Sequence, residues 1–485
     1  MLSRLFPVFA IFLAVTACTS PTPMGGGFVQ PQFDAGTVQD TAKVQDVAGT
    51  ADGGADAISD TAQSTEDAAD ILETSTPPKG NSWTFLIYLV ADNNLEAAAV
   101  EDLKEMMQVG AAAGFTMLVQ IDRAESDSDG YSSADVGGLE DFTGAKRLRI
   151  EKGKLVELED MGELDRTKPD TLADFIEWGV ATAPADRIAL ILWDHGAGVW
   201  GYGNDDSVDG TAATLPQVRQ GIESGLLKAG IDRLDLLGFD ACLMATWEVG
   251  AAMRPFARYM LASEETEPGH GWDYRRFKLV RDMPSLDPTA VGKIIADGFL
   301  DQGKEEKQAE RITLSLVDLD KMPAVEAAVA KLAALMGQAG GPVTVPLARA
   351  LPGTLKFGDN LDPDHAYHHL DLGTTGQLAL SKASPEAAGV GAELKSALGA
   401  AVLYKVAGPT MADASGLAVY LLPQIPNSRW VRPHGPSSSR ETGRPALRGA
   451  LRGCRGSQLA PSVRLCPAFR DTTGGWCRAG GARVV

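Results

Sequence analysis

The sequence predicts an α/β fold with a mainly parallel central sheet and helices on both faces. Short continuous apolar runs such as 188–193 and 234–239 are typical of strands that are buried on both sides. Segments with apolar residues at helical spacing, such as 95–107, lie between these runs. Strands that alternate with helices form parallel sheets with right-handed crossovers. The length of 485 residues is enough for a large core.

The individual elements follow from local patterns along the chain. Asn93 or Asn94 can cap the first helix, and Asp170 can cap the second. Residues 124–165 are polar with short apolar pieces, which predicts a hairpin excursion. The predicted strands are 84–90, 117–121, 187–193, 234–239, 259–262 and 312–319, and the predicted helices are 95–107, 171–180, 215–229 and 323–336.

Two of the predicted strands stop just before reactive side chains, His195 and Cys242. The carboxyl ends of parallel strands meet at one sheet edge, where α/β proteins bind ligands. A thiol becomes a strong nucleophile when a histidine can take its proton. Taken singly, Cys242 could be a small buried apolar residue and His195 a hydrogen-bonded histidine at a strand end. Because His195 and Cys242 both follow similar apolar runs, the sequence favours a site that they share.

The chain has a formal net charge of −20, from 64 acidic and 44 basic residues. Binding to nucleic acid needs a basic surface, so the charge argues against nucleic acid as a partner. An acidic total is compatible with cationic ligands.

Residues 1–18 have the organisation of an export signal. Arg4 precedes an apolar stretch, 5–15, which is too short for a membrane span, and the segment ends in VTAC at Cys18. This ending resembles a bacterial lipobox, in which the cysteine is lipidated and becomes the new N-terminus. The alternative is an ordinary secretory signal. The lipobox predicts a lipoprotein of the outer membrane or cell surface, with the lipid as its membrane contact.

Residues 19–80 are predicted to be a disordered acidic spacer. Between Asp34 and Glu73 there are ten acidic residues and one lysine, and no aromatic residue occurs from Asp34 to Trp83. Such a segment cannot bury enough apolar surface to offset its conformational entropy. The globular domain is therefore assigned to 81–425.

Residues 426–485 differ in composition from the rest of the chain. They contain eleven arginines and no lysine, with glycine, serine and proline between them, and no helical or strand period. The segment is either a basic binding tail or the product of a reading-frame slip near 425. The abrupt change in arginine and lysine usage favours the slip, which would leave the globular domain without its C-terminal end.

Several phrases of the chain resemble the clostripain family, peptidase C11, within the caspase–gingipain–legumain clan. The resemblance covers about 83–423, and the His195 and Cys242 blocks are 47 positions apart, close to the spacing known from caspases. The matching phrases are ADNNLE at 91–96, WDHG at 193–196, GFDACLM at 238–244, ASEE at 262–265, GWDY at 271–274, LDL at 370–372 and SGLAVY at 415–420.

The resemblance implies a caspase-like three-layer sandwich and a cysteine endopeptidase that acts through an acyl-enzyme. Cys242 would be the nucleophile, His195 would protonate the leaving amine, and the backbone N–H of Gly196 would stabilise the oxyanion. Asp240 would bind the P1 side chain, the residue before the cleaved bond, which implies cleavage after arginine and less well after lysine. Asp240 could instead cap a turn. The other predicted pocket residues are Glu264, Glu265, Trp272 and Tyr274, which could equally be surface charges and core aromatics.

No cofactor is required for this chemistry, although the resemblance makes Ca²⁺ possible. The loop 204–210 begins like an EF-hand, but its twelfth position is Pro216, so the sequence predicts a turn that caps the next helix, and no ligands are assigned. Family members are often cleaved internally after a basic residue. Lys146, Arg147 and Arg149 are candidates, with an ordinary charged hairpin as the alternative.

Two other functions remain open from the sequence. A non-catalytic binding lipoprotein on the same fold would not need the thiol, and a defective C-terminus would give an inactive enzyme. A serine hydrolase of the α/β class is disfavoured because no Gly-x-Ser-x-Gly motif occurs.

Overall fold

The structure is a computed structural model that describes residues 11–12, 80–124, 132, 135–208, 211–336, 353–358, 369–380, 384–420 and 466–467. The predicted lipidation site Cys18, spacer residues 19–79 and nearly all of the tail 426–485 lie outside these described residues. In the described termini, β1 (Ile11–Phe12) pairs antiparallel with β16 (Cys466–Pro467). No helix among the described residues has both the length and the apolar character needed to span a bilayer.

A nine-stranded sheet forms the centre of the molecule, in the spatial order β14-β11-β10-β9-β6-β2-β3-β4-β5. The five strands from β10 to β3 are mutually parallel, and the two strands at each edge are antiparallel. The strands are β2 (Trp83–Ala91), β3 (Phe115–Arg123), β4 (Gly144–Glu151), β5 (Lys154–Gly162), β6 (Arg187–Trp193), β9 (Leu234–Asp240), β10 (Ala257–Ala262), β11 (Thr313–Asp318) and β14 (Val402–Ala407).

Helices cover both faces of the sheet, and two hydrophobic cores lie between helices and sheet. Along β2, Leu86 and Tyr88 point into one core and Phe85 and Ile87 into the other, which is why the strand is apolar at every position. The first core also takes in α2 (Pro169–Thr182), α3 (Leu215–Ala229), α4 (Trp247–Met253), α7 (Met322–Met336) and α9 (Pro385–Ala401), and the second takes in α1 (Glu96–Val109), α5 (Phe277–Asp282) and α6 (Pro288–Glu305).

Two smaller sheets and one further helix lie beside the strand ends. The hairpin of β7 (Tyr202–Asp205) and β8 (Thr211–Ala213) follows β6. The other small sheet joins β12 (Lys356–Phe357), β13 (His369–Asp371) and β15 (Ala418–Tyr420), with α8 (Leu372–Leu380) directly after β13.

The predicted α/β class, with a mainly parallel sheet between two helical layers, is confirmed. The excursion at 124–165 contains the antiparallel hairpin of β4 and β5. The predicted Asp170 cap is wrong, because α2 starts at Pro169, with Lys168 in the cap position and Asp170 inside the first turn. Proline at the first helical position suits this start, since it has no N–H to be satisfied.

Candidate active site

The two reactive residues extend from neighbouring strands at the same level of the sheet. β6 and β9 are parallel partners, with Trp193 opposite Asp240. His195 lies two residues beyond Trp193 and Cys242 lies two residues beyond Asp240, so both are at the same level of the sheet. The backbones beyond the strands nearly touch. A side-chain carbon added to Gly196 would lie 2.1 Å from the carbonyl oxygen of Cys242 and 3.0 Å from its nitrogen. Only glycine fits at 196 without moving the nucleophile.

Asn94 orients the His195 ring. The His195 Nε2 and the Asn94 Oδ1 are 2.9 Å apart. Because an amide oxygen only accepts, Nε2 carries the hydrogen of the neutral ring and Nδ1 carries the lone pair. Burial lowers the pKa of His195 to about 4, so the ring is neutral at pH 7.

Asp194 anchors the segment that carries the histidine. Its Oδ1 accepts from Asn93 Nδ2 at 2.9 Å, and its Oδ2 accepts from the backbone N–H of Asn204. Its own N–H donates to the carbonyl of Asp240 at 3.3 Å, which ties the two strand ends together. Burial raises the pKa of Asp194 well above its usual range.

Cys242 is a free, partly exposed thiol whose Sγ accepts a hydrogen bond from the N–H of Glu267 at 3.2 Å. Burial raises the pKa of this thiol to about 11, while the Glu267 N–H opposes the increase. Since the thiol keeps its proton and the His195 ring stays neutral at pH 7, the resting pair is uncharged.

The loop after the nucleophile is fixed by the C-terminal part of the fold. Leu243 has φ of 65°, an uncommon conformation for a non-glycine residue, and its N–H donates to Glu265 O at 3.1 Å. Its side chain is buried with Phe357 and Ala418. The N–H of Ala418 donates to Ala245 O at 2.8 Å, so β15 holds the nucleophile loop in place.

The backbone bridge at Gly196 does not use its own N–H. Gly196 and Tyr202 form an isolated antiparallel bridge. Its hydrogen bonds run from Gly203 N to His195 O and from Ala197 N to Gly201 O. Neither of them uses the Gly196 N–H.

Asp240 lies in a group of buried acids that we call the carboxyl cluster, formed by Asp102, Asp240 and Glu267. Asp240 Oδ2 accepts from the Tyr274 hydroxyl at 2.9 Å and from the Trp272 N–H at 3.3 Å. Burial raises the pKa of Asp240 to about 6, and hydrogen bonds from Glu267 and Tyr274 oppose the increase.

The backbone of Gly271 passes close to two members of the carboxyl cluster. A side-chain carbon at Gly271 would lie 3.0 Å from Asp102 Oδ2 and 3.4 Å from both oxygens of Asp240. Asp102 Oδ2 also accepts from Trp193 Nε1 at 2.7 Å. A separate surface cavity of about 490 Å³, lined in part by Leu300 and Lys304, shares no residue with the cluster.

The structure brings some predicted pocket residues together and uses others elsewhere. Tyr274 and the backbone of Trp272 contact Asp240. Glu264 accepts from Gly416 N at 2.9 Å, and Glu265 pairs with Arg311 at 2.6 Å and accepts from Gly358 N at 2.8 Å. The two glutamates thus join strand ends to the C-terminal segments, and neither hydrogen-bonds to Asp240.

Three residues of the site were missed by sequence reasoning: Asn94, Asp102 and Glu267. Asn94 lies in the family-like phrase ADNNLE, but the sequence suggests only a helix-capping role for its side chain. Asp102 is an acid on the apolar face of α1, three positions after Ala99 and four before Met106, which is a usable signal. Glu267 follows ASEE by two residues and has no local pattern of its own.

A second acidic group could hold Ca²⁺. One oxygen each from Asp92, Glu163 and Asp205 lie within 4.8 Å of one another. Nearby, Asp122 is fully buried and its Oδ1 lacks a donor among the described residues. Carboxylate oxygens are the ligands Ca²⁺ prefers, so these residues fit the ion.

Asp205 belongs to the EF-hand-like loop, whose residues 209–210 lie outside the described residues. Helix α3 is capped instead by Thr214 and Gln217, so the expected capping role of the loop is wrong.

The basic residues considered for internal cleavage lie within strand β4. Lys146 pairs with Glu157 and Asp160, and Arg147 pairs with Glu159. These contacts correspond to the charged hairpin that was kept as the alternative.

Comparisons with known proteins identify the family of the chain. A model of the clostripain family, peptidase C11, matches residues 87–369. Clostripain from Hathewaya histolytica is 27% identical over 231 residues, which is 42% of this chain and 43% of that protein, so the match spans less than half of the relative.

Solved structures show the same fold. A secreted C11 cysteine protease from Bacteroides thetaiotaomicron, in complex with an irreversible peptide inhibitor, superposes with a TM-score of 0.53 at 18% identity, covering 72% of this chain and 95% of the other. The secreted C11 cysteine protease from the same organism called iotapain gives a TM-score of 0.51 at 15% identity, covering 71% and 94%. With more than half of its length matched by the family model, the chain belongs to the clostripain family, peptidase C11.

Proposed function

We propose that this protein is a cysteine endopeptidase that cleaves after arginine, and less well after lysine, using Cys242 and His195. The observation that carries the proposal is the contact between the two strand ends, where the Gly196 backbone meets Cys242 and the carboxyl cluster lies beside them. A nucleophile, a proton carrier, oxyanion donors and a cation site at one sheet edge suffice for acyl transfer.

The reaction follows from the resting state of the pair. Substrate binding brings the scissile carbonyl to Cys242, the thiol proton passes to the neutral His195 ring, and the thiolate attacks. The N–H groups of Gly196 and Cys242 stabilise the oxyanion. The protonated ring then gives its proton to the leaving amine, and water hydrolyses the acyl-enzyme.

The specificity for basic residues follows from the carboxyl cluster. Asp240 is buried and two residues before the nucleophile, so a P1 side chain beside it loses its water. A guanidinium can pair with a carboxylate through two hydrogen bonds, whereas an ammonium offers a point charge, which favours arginine over lysine.

The test compares cleavage of fluorogenic arginyl, lysyl and leucyl amides by the whole chain, with and without iodoacetamide. We expect thiol-sensitive cleavage of the arginyl substrate first and the lysyl substrate second. Cys242→Ala should abolish it, and Glu223→Gln, on an exposed face of α3, should not. A folded chain without thiol-sensitive cleavage would point to the binding lipoprotein or to a defective enzyme.

We propose that bound Ca²⁺ is held by Asp92, Glu163 and Asp205. The ion would supply positive charge between the loop after β2 and the end of β7. These two segments carry Asn94, which orients His195, and Asn204, which holds Asp194. The role is structural, and the peptidase chemistry above uses only side chains and backbone of the chain.

We propose that the protein is exported and anchored by lipid on Cys18, with residues 19–80 as a tether, at the outer membrane or cell surface. A polar tether of this length gives a surface enzyme reach toward its substrates. Metabolic labelling with a fatty acid tests the anchor: label should enter the chain and be absent from Cys18→Ala. A labelled Cys18→Ala variant would refute it.

A further inference from the structure

The carboxyl cluster holds more acid than its surroundings neutralise. Asp102, Asp240 and Glu267 form no ion pair among the described residues. Arg275 and Arg311, in neighbouring segments, pair with Glu105 and Glu265 instead. Three carboxylates without a cation repel one another, so the empty cluster must retain protons.

Glu267 is the member most dependent on a proton. Both of its carboxyl oxygens are buried. Its carboxyl lies within hydrogen-bonding reach of that of Asp240 and of the Trp272 side chain. Two ionised carboxylates can only accept, so a hydrogen bond between the two carboxyl groups exists only while one of them is protonated.

The neighbouring charges place this proton on Glu267. Burial, followed by the charge of Asp240, raises the pKa of Glu267 well above its usual range. Asp240 has two additional donors, Tyr274 and the Trp272 N–H, which stabilise its ionised form.

We propose that Glu267 is a specificity-determining residue that releases its proton when a cationic P1 side chain enters the carboxyl cluster, so that substrate binding and proton release are coupled. The inference rests on the proposed function. The O–H bond of Glu267 breaks, the proton passes to solvent, and the new carboxylate faces the guanidinium together with Asp240. No electron transfer is involved.

The groups that the structure describes around the cluster do not supply an alternative cation. Helix α1 contributes Asp102 and Glu105, both acids with raised pKa values caused mainly by burial. The loop after β10 contributes Tyr274 and Asp273, and β6 contributes the neutral Trp193 ring. The positive charge that balances a second carboxylate must therefore come with the ligand.

Glu267 also connects the cluster to the nucleophile through a different part of the residue. Its backbone N–H donates to Cys242 Sγ. Glu267→Gln removes the titrating proton and keeps that backbone contact, so its effect can be separated from damage to the thiol.

Isothermal titration of the whole chain with agmatine, a guanidinium compound without a scissile bond, tests the coupling. Titrations at pH 7 in phosphate and in Tris report the protons exchanged from the difference in buffer ionisation heat. We expect about one proton released per agmatine bound by the unaltered chain. Glu267→Gln should bind agmatine with far less release, Glu223→Gln should behave like the unaltered chain, and neutral butylurea should cause no release.

The pH profile of KM gives a second readout. For an arginyl amide, KM should rise as the pH falls and the cluster retains its protons, and Glu267→Gln should flatten this dependence. Binding of agmatine without proton exchange would refute the coupling, and so would equal proton release from Glu267→Gln. If the chain still cleaves arginyl amides in either case, the proposed function stands. A chain that neither cleaves arginyl amides nor binds agmatine refutes both.

Discussion

Replacing Asp240 by asparagine tests the proposed specificity most directly. Asparagine keeps the size of the side chain and can still accept from the Tyr274 hydroxyl, which lies 2.9 Å from Asp240 Oδ2. The change removes the charge that would face the P1 cation in a site where Asp240 is 4% exposed. Folding should be retained, because the buried acid is costly in the empty site.

The size of the effect follows from the burial. Removing one partner of a buried ion pair costs about 3–5 kcal/mol. Because Glu267 remains as a second carboxylate, we expect the lower end, about 3 kcal/mol, or roughly a 150-fold loss in kcat/KM for the arginyl substrate.

The assay measures kcat/KM of Asp240→Asn with arginyl and citrullyl amides, which differ in charge but hardly in shape. Cleavage of the citrullyl substrate should be unchanged or improved, and alkylation of Cys242 by iodoacetamide should continue. An equal loss for both substrates would show that Asp240 only supports the turn, and the charge argument would then be wrong.

Three further predictions concern the same strand ends. Gly196→Ala should abolish cleavage and lower thermal stability by about 1–3 kcal/mol, since the new methyl carbon would meet Cys242 O. Unchanged kinetics would disprove the close approach. The rate of Cys242 alkylation in the free chain should rise with pH up to about 11, the raised thiol pKa. A plateau near pH 7 would instead indicate a thiolate–imidazolium pair. Ca²⁺ should raise the melting temperature of the unaltered chain but not of Asp205→Asn. Burial and neighbouring acids raise the pKa of Asp92 from 3.8 to about 7, so the folded state binds the extra proton and metal-free stability should fall as pH rises through that range. Melting curves at pH 5 and 7.5, with EDTA and with Ca²⁺, check both statements.

The strands and helices were predictable where burial is continuous along the chain. The runs that became β6 and β9 are apolar because both faces of the sheet are covered, and the stripe at Val100 and Leu103 marked α1. Local patterns thus located His195 and Cys242 at strand ends.

Partners that are distant in the sequence could not be predicted in the same way. The role of Glu264 follows from Gly416, which returns to it from the far end of the domain. The carboxyl of Glu267 meets Asp240 only because β9 and the loop after β10 converge. No periodic pattern in the sequence predicts such contacts between distant segments.

The hydrogen bond between β15 and the nucleophile loop has a consequence for biosynthesis. Cys242 is translated long before Ala418, whose N–H holds Ala245, and before the residues that bury Leu243. With the proposed activity, a growing chain would remain inert until β15 had emerged from the ribosome. The nascent polypeptide would therefore carry its nucleophile for most of its synthesis without being able to cleave the proteins around it.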